Sequence, residues 1–363
     1  MSGTEQQKVA SWRLPPLTAR ASYPPFMPSF SIFDQASPAL LQWLESAGNT
    51  MDFRARETVI HEGQISESLF VLLTGSLSVF TTNKKHGQDR LANLTPGSLI
   101  GEMSWLEQRP AVASATADID CSVLSIPRQT LATLGEVDPD LSAELHRLFA
   151  QKLALQIQQQ NAWTHRLNSD TAPVEALRKV LLLFAKLREQ DVHRLAGLGQ
   201  VQRLQPNTVL LKQGNPVPAL YLILSGEAEI LLTLAGNTQE IGSSRRGELI
   251  GEMTLLLEQQ DGAAATVETA QGMDVLAIDR FRLQTALDKD PKLATRFYSG
   301  LACMLSQRSR DQLLSNQRAT ASRKVELDTI DRLDLEDLSS ISRAARLFDW
   351  LCKHFQSGDG ASA

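Results

Sequence analysis

Two copies of one tripeptide are the residues in this chain best suited to binding chemistry. Gly101-Glu102-Met103 recurs 150 residues later (251 − 101) as Gly251-Glu252-Met253. Glycine lets the backbone approach a ligand closely or turn with positive φ. A Gly-Glu at the start of a short helical turn presents backbone N–H groups, an arrangement suited to an anion. The pattern therefore indicates ligand binding at two places in the chain.

The duplication extends beyond the tripeptide. Six of the seven residues of 97–103 recur in 247–253. Glu62-Gly63 and Gly75 recur as Gln213-Gly214 and Gly226, with Gly63 and Gly75 both at an offset of 151 (214 − 63 and 226 − 75). So constant a spacing leaves room for few insertions. The sequence therefore predicts one domain present twice.

Short β-like runs fill both copies. In the first copy they lie between residues 51 and 125, for example 69–73 and 77–80, and the same series runs from 208 to 278. Several short strands at this spacing predict a small antiparallel barrel or jelly roll. The predicted fold class is α+β: two tandem antiparallel β-roll (jelly-roll) domains with flanking helices, plus a C-terminal amphipathic helix.

A helix follows the β segment of each copy. Apolar residues recur every four positions from Leu141 to Ile157 and again from Leu293 to Leu305, an offset of 152 (293 − 141). Such spacing marks one face of a helix. An Asp-Pro precedes each run (Asp138-Pro139 and Asp290-Pro291), and proline suits a first helical turn.

A last amphipathic helix is predicted over residues 333–355. Its apolar positions step by three or four: Leu338, Ile341, Ala345, Phe348, Cys352 and Phe355. We expect it to dock on the protein's own core, with a dimer contact or a partner helix as the alternatives. The arginines that precede it (Arg308, Arg310, Arg318 and Arg323) are expected to be solvated.

The chain divides into five predicted segments. An extended Pro-rich arm covers residues 1–28, which is either a loosely docked tail or a partner-binding peptide. Domain 1 covers 29–168 and domain 2 covers 185–317. A helical connector over 169–198 overlaps the start of domain 2, and the C-terminal helical segment covers 318–363.

Composition narrows the functional class. The chain has 363 residues, 42% hydrophobic and 21% charged, and a net charge of −5, which gives no electrostatic footprint for nucleic acid or an anionic membrane. Three distant cysteines do not form a disulfide framework and fit a reducing compartment. No apolar run is long enough to cross a bilayer, and no signal peptide is evident. A cytoplasmic location is expected.

Both copies follow the order E-G (Q-G in the second), L-[FY], [LI]-x-G and G-E-M, and in this order the sequence resembles the cyclic nucleotide-binding domain family. The resemblance covers residues 30–165 and 185–315. It implies that Glu102 and Glu252 bind a ribose 2′-hydroxyl, and that an arginine in a following P-R-x-A-[ST] segment pairs with the cyclic phosphate. The implied site residues are Gly101, Glu102, Met103, Pro110, Ala111, Ser114, Gly251, Glu252, Met253 and Thr266.

The sequence departs from this pattern at the phosphate position. Ala111 occupies the arginine position of the first copy, and Arg109 lies two residues earlier, so that a register slip would be needed to bring it to the phosphate. Ala263 occupies that position in the second copy, where Glu258 and Asp261 add negative charge. A charge-assisted hydrogen bond to phosphate is worth about 1.5–3 kcal/mol, or roughly tenfold to a hundredfold in affinity. We therefore expect weak cAMP or cGMP binding in domain 1 and loss of the ligand in domain 2.

The sequence lacks the residue sets that other classes of protein require. The six histidines are scattered and form no cupin metal cluster, and no P-loop, kinase set or nucleophile elbow is present. The segment after the second helix is too short and too acidic for a winged-helix DNA-binding unit. No arginine-rich inhibitor sequence of the kinase regulatory subunit type precedes domain 1.

The predicted function is a non-enzymatic regulatory or adaptor protein without a cofactor. In this interpretation a nucleotide closes the first pocket, the helix from Leu141 to Ile157 shifts, and a protein partner receives the signal. A ligand-free scaffold that keeps only the fold is the alternative. Homo-oligomerisation through the helices stays open, and neither DNA nor a membrane span is expected.

Overall fold

The structure is a computed structural model of the chain. It describes residues 32–83, 87–164, 182–234, 236–257, 262–320 and 335–356. The predicted arm (1–28) and the acidic positions Glu258 and Asp261 lie outside the described residues.

Domain 1 is an antiparallel β-roll with helices at both ends. It begins with a 3-10 helix, Ile32–Gln35, and helix α1, Pro38–Ala47, which is capped by the Ser37 hydroxyl accepting from the Leu40 N–H at 3.1 Å. Its further elements are β1 (Asn49–Phe53), β2 (Thr58–Ile60), β3 (Ser68–Thr74), β4 (Leu77–Asn83), β5 (Gly87–Leu94), β6 (Leu99–Ile100), α2 (Glu102–Glu107), β7 (Ser114–Ala117), β8 (Cys121–Pro127), α3 (Arg128–Val137) and α4 (Pro139–Thr164).

The strands of domain 1 form two four-stranded sheets. Their orders are β1-β8-β3-β6 and β2-β7-β4-β5, and every pairing is antiparallel. Alternate side chains of the two sheets enclose a core that includes Phe70, Leu72, Leu77 and Val123. Cys121 is buried in this core, as expected of a structural cysteine.

Domain 2 repeats this order of elements. After helical residues 182–186 come α5 (Glu189–Leu198), β9 (Gly199–Leu204), β10 (Thr208–Leu211), β11 (Ala219–Leu234), β12 (Asn237–Arg245), β13 (Leu249–Ile250), α6 (Glu252–Leu256), β14 (Thr266–Thr269), β15 (Met273–Asp279), α7 (Arg280–Lys289) and α8 (Pro291–Thr320). The sheet order is β10-β14-β11-β15-β9, and β12 and β13 also pair with β11. The fold class predicted from the sequence is therefore confirmed.

One strand differs between the copies. Two short runs on either side of Gly226 read as separate strands in the sequence, but β11 continues through that glycine, which has φ +86°. The pairing with β15 shifts register between Ile223 and Ser225, and this irregularity bends the strand from one sheet into the other.

The two long helices begin as their sequences predict. Asp138 and Asp290 each accept the N–H of the residue three positions on, Leu141 and Leu293, at 3.0 Å in both cases. The proline after each aspartate occupies the first helical position.

Helices α4 and α8 pack against each other and run in the same direction. The Thr295 hydroxyl donates to the Pro139 carbonyl at 2.9 Å near the helix starts, and Gln156 Nε2 donates to the Ser309 hydroxyl at 2.9 Å farther along. Their apolar faces form a helical core shared by the two domains, centred on Phe149, Leu153, Phe297 and Leu301. This core joins the domains into one unit.

The predicted connector over 169–198 is only partly described. Its described portion is not one helix, because residues 182–186 and α5 are separated at positions 187 and 188. Helix α5 has ten residues and is followed by Gly199, just as α1 has ten residues and is followed by Gly48. Because α5 repeats α1 in this way, we group it with the second domain.

The predicted C-terminal helix is α9, Leu335–Gln356, and it docks on domain 2. Ala345 is exposed rather than part of the buried stripe, whereas Leu338 and Ile341 lie outside the residues whose side chains are described. The buried positions are Ala344, Leu347, Phe348, Leu351, Cys352 and Phe355. None of the described helices is long and apolar enough to cross a membrane.

Candidate functional site: two nucleotide-type cassettes

Residues 101–114 are termed cassette 1, and residues 251–266 are termed cassette 2. Each cassette begins with a glycine in the left-handed region, Gly101 at φ +92° and Gly251 at φ +93°, directly before the short helices α2 and α6. A Cβ on Gly101 would lie 3.1 Å from Ile60 Cδ1, and one on Gly251 would lie 2.9 Å from the Ala219 carbonyl oxygen. Conformation and close approach both explain the repeated glycine.

The glutamate after each glycine is buried and ion-paired within the protein. Glu102, 3% exposed, pairs with Lys152 Nζ of α4, which also donates to the Leu99 carbonyl at 3.0 Å. Glu252, 4% exposed, pairs with Arg308 Nη1 of α8 at 3.2 Å. Burial raises the pKa of Glu252, and Arg308 opposes that rise.

The cations that pair with these two glutamates do not occupy corresponding positions. At the helix offset of 152, the counterpart of Lys152 is Met304, so that Arg308 lies about one turn farther along α8. Each domain therefore neutralises its cassette carboxylate with a different residue of its own C-terminal helix. Met103 and Met253, which follow the glutamates, are partly buried against the shared helical core.

Alanine fills the expected phosphate-arginine position in both cassettes. The Ala111 N–H donates to the Gln64 carbonyl at 2.9 Å, and the Ala111 carbonyl accepts from the Gly63 N–H at 2.9 Å. Ala263 makes the same two bonds with Asn215 and Gly214, at 2.8 and 2.9 Å. The same backbone pairing is thus present in both cassettes, with alanine at this position in each.

The cassette hydroxyls also have internal partners. Ser114 accepts from the Glu62 N–H at 3.0 Å, and Thr266 accepts from the Gln213 N–H at 3.1 Å. The side chain of Glu62 accepts from the Thr82 N–H at 2.7 Å, and that of Gln213 accepts from the Thr233 N–H at 2.8 Å. In each domain, the glutamate or glutamine of the E-G or Q-G pair therefore links the cassette hydroxyl to the backbone of a neighbouring strand.

Arg109 does not replace the missing phosphate arginine. Its Nη1 donates to Gln307 Oε1 of α8 at 3.2 Å, and its backbone bonds to Ser104, which keeps the guanidinium on the domain 2 side of the cassette. A register slip towards the phosphate is therefore not adopted in this structure.

Cassette 1 is held by the long helix of domain 2. The buried Glu107 carboxylate lies 2.5 Å from Arg310 Nε and accepts from the Ser306 hydroxyl at 2.5 Å. Arg310 also donates to the Pro110 carbonyl at 3.2 Å. Burial raises the pKa of Glu107, whereas Arg310 and Ser306 oppose the rise. These contacts connect the C-terminal end of α2 and the start of the phosphate segment to α8.

The two cassette–helix junctions are related by the internal repeat. Gln151 Nε2 of α4 donates to the Leu256 carbonyl of cassette 2 at 3.0 Å. Cys303, its counterpart on α8 (303 − 151 = 152), donates its thiol to the Leu106 carbonyl of cassette 1 at 3.2 Å. Each cassette is therefore contacted by the long helix of the other domain, as in a two-fold arrangement.

The ion pair breaks this symmetry. At the cassette offset of 150, the counterpart of Glu107 is Leu257, an apolar residue packed against the shared core. The expectation that Arg308 and Arg310 are solvated was wrong, because each pairs with a buried carboxylate. Arg323 and the side chain of Arg318 lie outside the described part of the chain.

Two surface clefts lie away from the cassettes. One of about 250 Å³ lies between α4, α7 and α8, and one of about 600 Å³ lies beside β1 and β8 of domain 1. Within the described ranges, no group of three or more His, Cys, Asp or Glu side chains is placed to hold a metal ion.

Four charged residues of the candidate site were not predicted from the sequence: Lys152, Arg308, Arg310 and Glu107. All four interact across long sequence separations, for example 203 residues between Glu107 and Arg310 (310 − 107). The signal available was weak: Lys152 follows the apolar Phe149 by three positions, and so adjoins the buried stripe of α4.

Comparisons with known proteins indicate the family of this chain. The family model "Cyclic nucleotide-binding domain" matches residues 50–138 and 201–290. The cAMP-dependent protein kinase regulatory subunit of Mucor circinelloides f. lusitanicus is 23% identical over 215 residues, covering 59% of this chain and 42% of that protein. The cAMP-activated global transcriptional regulator CRP of Salmonella typhimurium is 28% identical over 120 residues, covering 33% of this chain and 57% of that protein.

Among solved structures, the chain is similar to the regulatory domain of Toxoplasma gondii PKA with cAMP. It is 15% identical, with a TM-score of 0.30, and the match covers 77% of this chain and 92% of that one. The chain spans about half or less of the length of the kinase regulatory subunits that it matches, between 42% and 51%. The two β-rolls, their glycine-initiated cassettes and the double family match place this chain in the cyclic nucleotide-binding domain family, as a tandem pair of its domains.

Proposed function

We propose that this protein is a non-catalytic regulatory or adaptor protein in which cassette 1 senses a nucleotide-type ligand and domain 2 transmits the change to a protein partner. The observation that carries the proposal is the buried Glu107–Arg310 ion pair, because it ties the cassette of one domain to the long helix of the other. A ligand that moves α2 must either move α8 or separate this pair.

The two cassette–helix junctions differ in the kind of contact that holds them. Among its described residues, cassette 2 meets α4 through the Gln151 amide and apolar packing, and Leu257 holds the position of Glu107. A buried charge pair has few alternative partners, whereas apolar packing tolerates small displacements. Domain 1 is therefore the sensing domain, and cassette 2 is a structural remnant without its ligand.

The ligand class follows from the cassette residues. Glu102 can accept from a ribose hydroxyl once Lys152 releases it, and α2 presents backbone N–H groups at its start. Because Ala111 supplies no cation, the phosphate of a cyclic nucleotide adds little binding free energy at that position. A nucleoside, which has no phosphate, therefore gives up no binding free energy there. Cyclic AMP and cyclic GMP are the family ligands to test, with adenosine and guanosine beside them.

Calorimetric titration of these four compounds into the full chain tests the proposal. We expect a binding heat that disappears in Glu102→Ala and persists in the matched variant Glu252→Ala. Arg310→Met should change the dissociation constant although Arg310 belongs to domain 2, because coupled sites share a coupling free energy. Silence for all four compounds would exclude the sensor.

The second candidate is the ligand-free scaffold. It is favoured by the internal partners of both cassettes, since Glu102, Glu252, Ser114 and Thr266 all have partners without any ligand. In that case the Glu107–Arg310 pair fixes the two domains permanently. The same titration separates the candidates, because the scaffold predicts no binding heat in any variant.

A further inference from the structure

Helix α9 covers a defined apolar face of domain 2. The Phe348 ring meets the Phe184 ring at 5.7 Å between centroids, and Cys352 Sγ lies 3.9 Å from the Leu224 carbonyl oxygen. Arg343 Nη2 donates to the Ala185 carbonyl at 2.8 Å. Three buried residues of domain 2 are together termed face 2: Phe184, Val192 and Leu224.

The internal repeat supplies the same face on domain 1. At the offset of 151 that relates Gly48 to Gly199, the counterparts of the face 2 residues are Phe33, Leu41 and Leu73, termed face 1. Phe33 lies in the 3-10 helix, Leu41 in α1 and Leu73 in β3, the elements that correspond to residues 182–186, α5 and β11. The two faces therefore have the same construction.

Face 1 is more exposed than face 2. Leu41 is 37% exposed, whereas its counterpart Val192 is 1% exposed. Phe33 and Leu73 are both partly exposed, whereas Phe184 and Leu224 are 4% and 3% exposed. Helix α9 contacts two of these domain 2 residues, through Phe348 at Phe184 and Cys352 at the Leu224 carbonyl.

The charges around the two faces differ. In domain 2, Arg246 lies 3.5 Å from Asp349 of α9, and the counterpart of Arg246 in domain 1 is Pro96 (246 − 150). Exposed carboxylates border face 1 instead: Asp34 is the counterpart of Ala185, and Glu45 lies one helical turn after Leu41 on the same side of α1. Face 1 therefore selects a helix with basic rather than acidic flanking residues.

We propose that face 1 is the docking site for an amphipathic helix of a partner protein, with an apolar stripe spaced like that of α9 and a basic flank. The apolar spacing is the one already seen on face 2, where positions 344, 347, 348, 351, 352 and 355 are buried. The inference rests on the adaptor part of the proposed function, because it identifies where and by what kind of segment the partner is held.

A peptide with the sequence of α9 from Leu335 to Gln356 and the change Asp349→Lys is the probe. This change removes the carboxylate that pairs with Arg246 at face 2 and adds the positive charge that suits face 1. A photo-cross-linker in place of Trp350 reports the site, because Trp350 contacts His193 of α5, at 4.0 Å between ring centroids. Binding is measured on the full chain without nucleotide, so failure here is distinct from failure of the ligand titration.

We expect one peptide per chain, with cross-links in α1. Leu41→Asp should weaken binding at least tenfold, and Glu45→Lys should weaken it severalfold in a salt-dependent way. The matched control is Val137→Asp on α3, whose side chain is 80% exposed outside face 1 and should leave binding unchanged.

Several results would overturn the proposal. These are no binding, equal binding by Leu41→Asp, cross-links in α5 (which would mean exchange with α9), and binding only after removal of residues 1–28, which would make the arm the occupant. Self-association of the free chain that Leu41→Asp abolishes would assign the face to a second copy instead, and would equally contradict it.

Discussion

Glu107 of the cassette 1 helix and Arg310 of α8 form an ion pair in which Nε and Oε2 lie 2.5 Å apart, with side-chain exposures of 4% and 10%. The pair joins two domains whose sequences are otherwise repeats of each other. At the offset of 150, the position of Glu107 is occupied by Leu257 in the described part of the second junction. This buried electrostatic contact is therefore one of the features that distinguish the two junctions.

Arg310→Met is expected to destabilise the protein by about 3–5 kcal/mol, since it leaves the Glu107 carboxylate buried without its counter-ion. The double variant Glu107→Leu with Arg310→Met copies the apolar residue of the second junction and should recover most of the loss. Urea unfolding of the wild-type protein and the two variants measures this. Equal losses in the single and double variants would contradict the role of the pair.

The buried side chain of His146 should make the folded protein less stable at acid pH. Burial between Trp105 and Phe149 lowers its pKa from 6.5 to about 4, and its ring Nδ1–H donates to the Ser142 carbonyl at 2.7 Å. Because the folded-state pKa is depressed, this contribution to stability is complete above pH 6.5 and is lost as the pH falls towards 4. The loss over that interval is about 3 kcal/mol.

The comparison with His146→Leu isolates this contribution. The variant should lose about 1 kcal/mol at pH 7 through the missing hydrogen bond. Its free energy of unfolding should then fall less steeply than that of the wild-type protein between pH 6.5 and 4. Parallel pH profiles for the two proteins would show that His146 does not titrate in this way.

The two cassette glycines should differ in their tolerance of a side chain. Gly101→Ala is expected to cost about 1–2 kcal/mol from the left-handed backbone conformation. Gly251→Ala should cost more, because its Cβ would lie 2.9 Å from the carbonyl oxygen of Ala219, whereas the nearest atom to that of Gly101 is a side-chain carbon of Ile60 at 3.1 Å.

Thermal unfolding can rank these variants against Gly197→Ala. Gly197 lies within α5, and a Cβ there meets nothing within 4 Å, so that substitution should be neutral or stabilising by about 0.5–1 kcal/mol. If all three substitutions had the same effect, the cassette glycines would not be required by conformation and close approach.

Ala111→Arg should restore phosphate affinity in domain 1. An arginine there would add about 1.5–3 kcal/mol of charge-assisted bonding, so cyclic nucleotide binding should tighten about tenfold to a hundredfold relative to wild type. The gain should be absent for adenosine, which carries no phosphate. Calorimetry with cAMP and adenosine provides the comparison.

The matched change in domain 2, Ala263→Arg, should not create a receptor. Ala263 is 6% exposed and packs in the core of the domain 2 β-roll. An arginine there is therefore expected to lower the stability of the protein rather than to bind phosphate. A gain of nucleotide affinity in this variant would show that cassette 2 has kept a usable pocket.

The helices and barrels were predictable because their signals are local. The spacing of Leu141 and Leu145 marks a helix face without reference to any other element, and Asp138-Pro139 marks where that helix begins. The shift of the α9 stripe from Ala345 to Ala344 shows the limit of this approach, because neighbouring positions on a helix are distinguished only by the surface against which they pack.

The sequence by itself determined the duplication, the β-roll with its trailing helix in each copy, the left-handed glycines and the alanines at the phosphate-arginine positions. These properties follow from short-range periodicity and from comparing the two copies. Only the tertiary structure decided that Lys152 and Arg308 neutralise the cassette glutamates, and that Arg310 of one domain holds Glu107 of the other. Contacts between residues far apart in the chain leave no periodic trace, and their partners are set by how α4 and α8 pack.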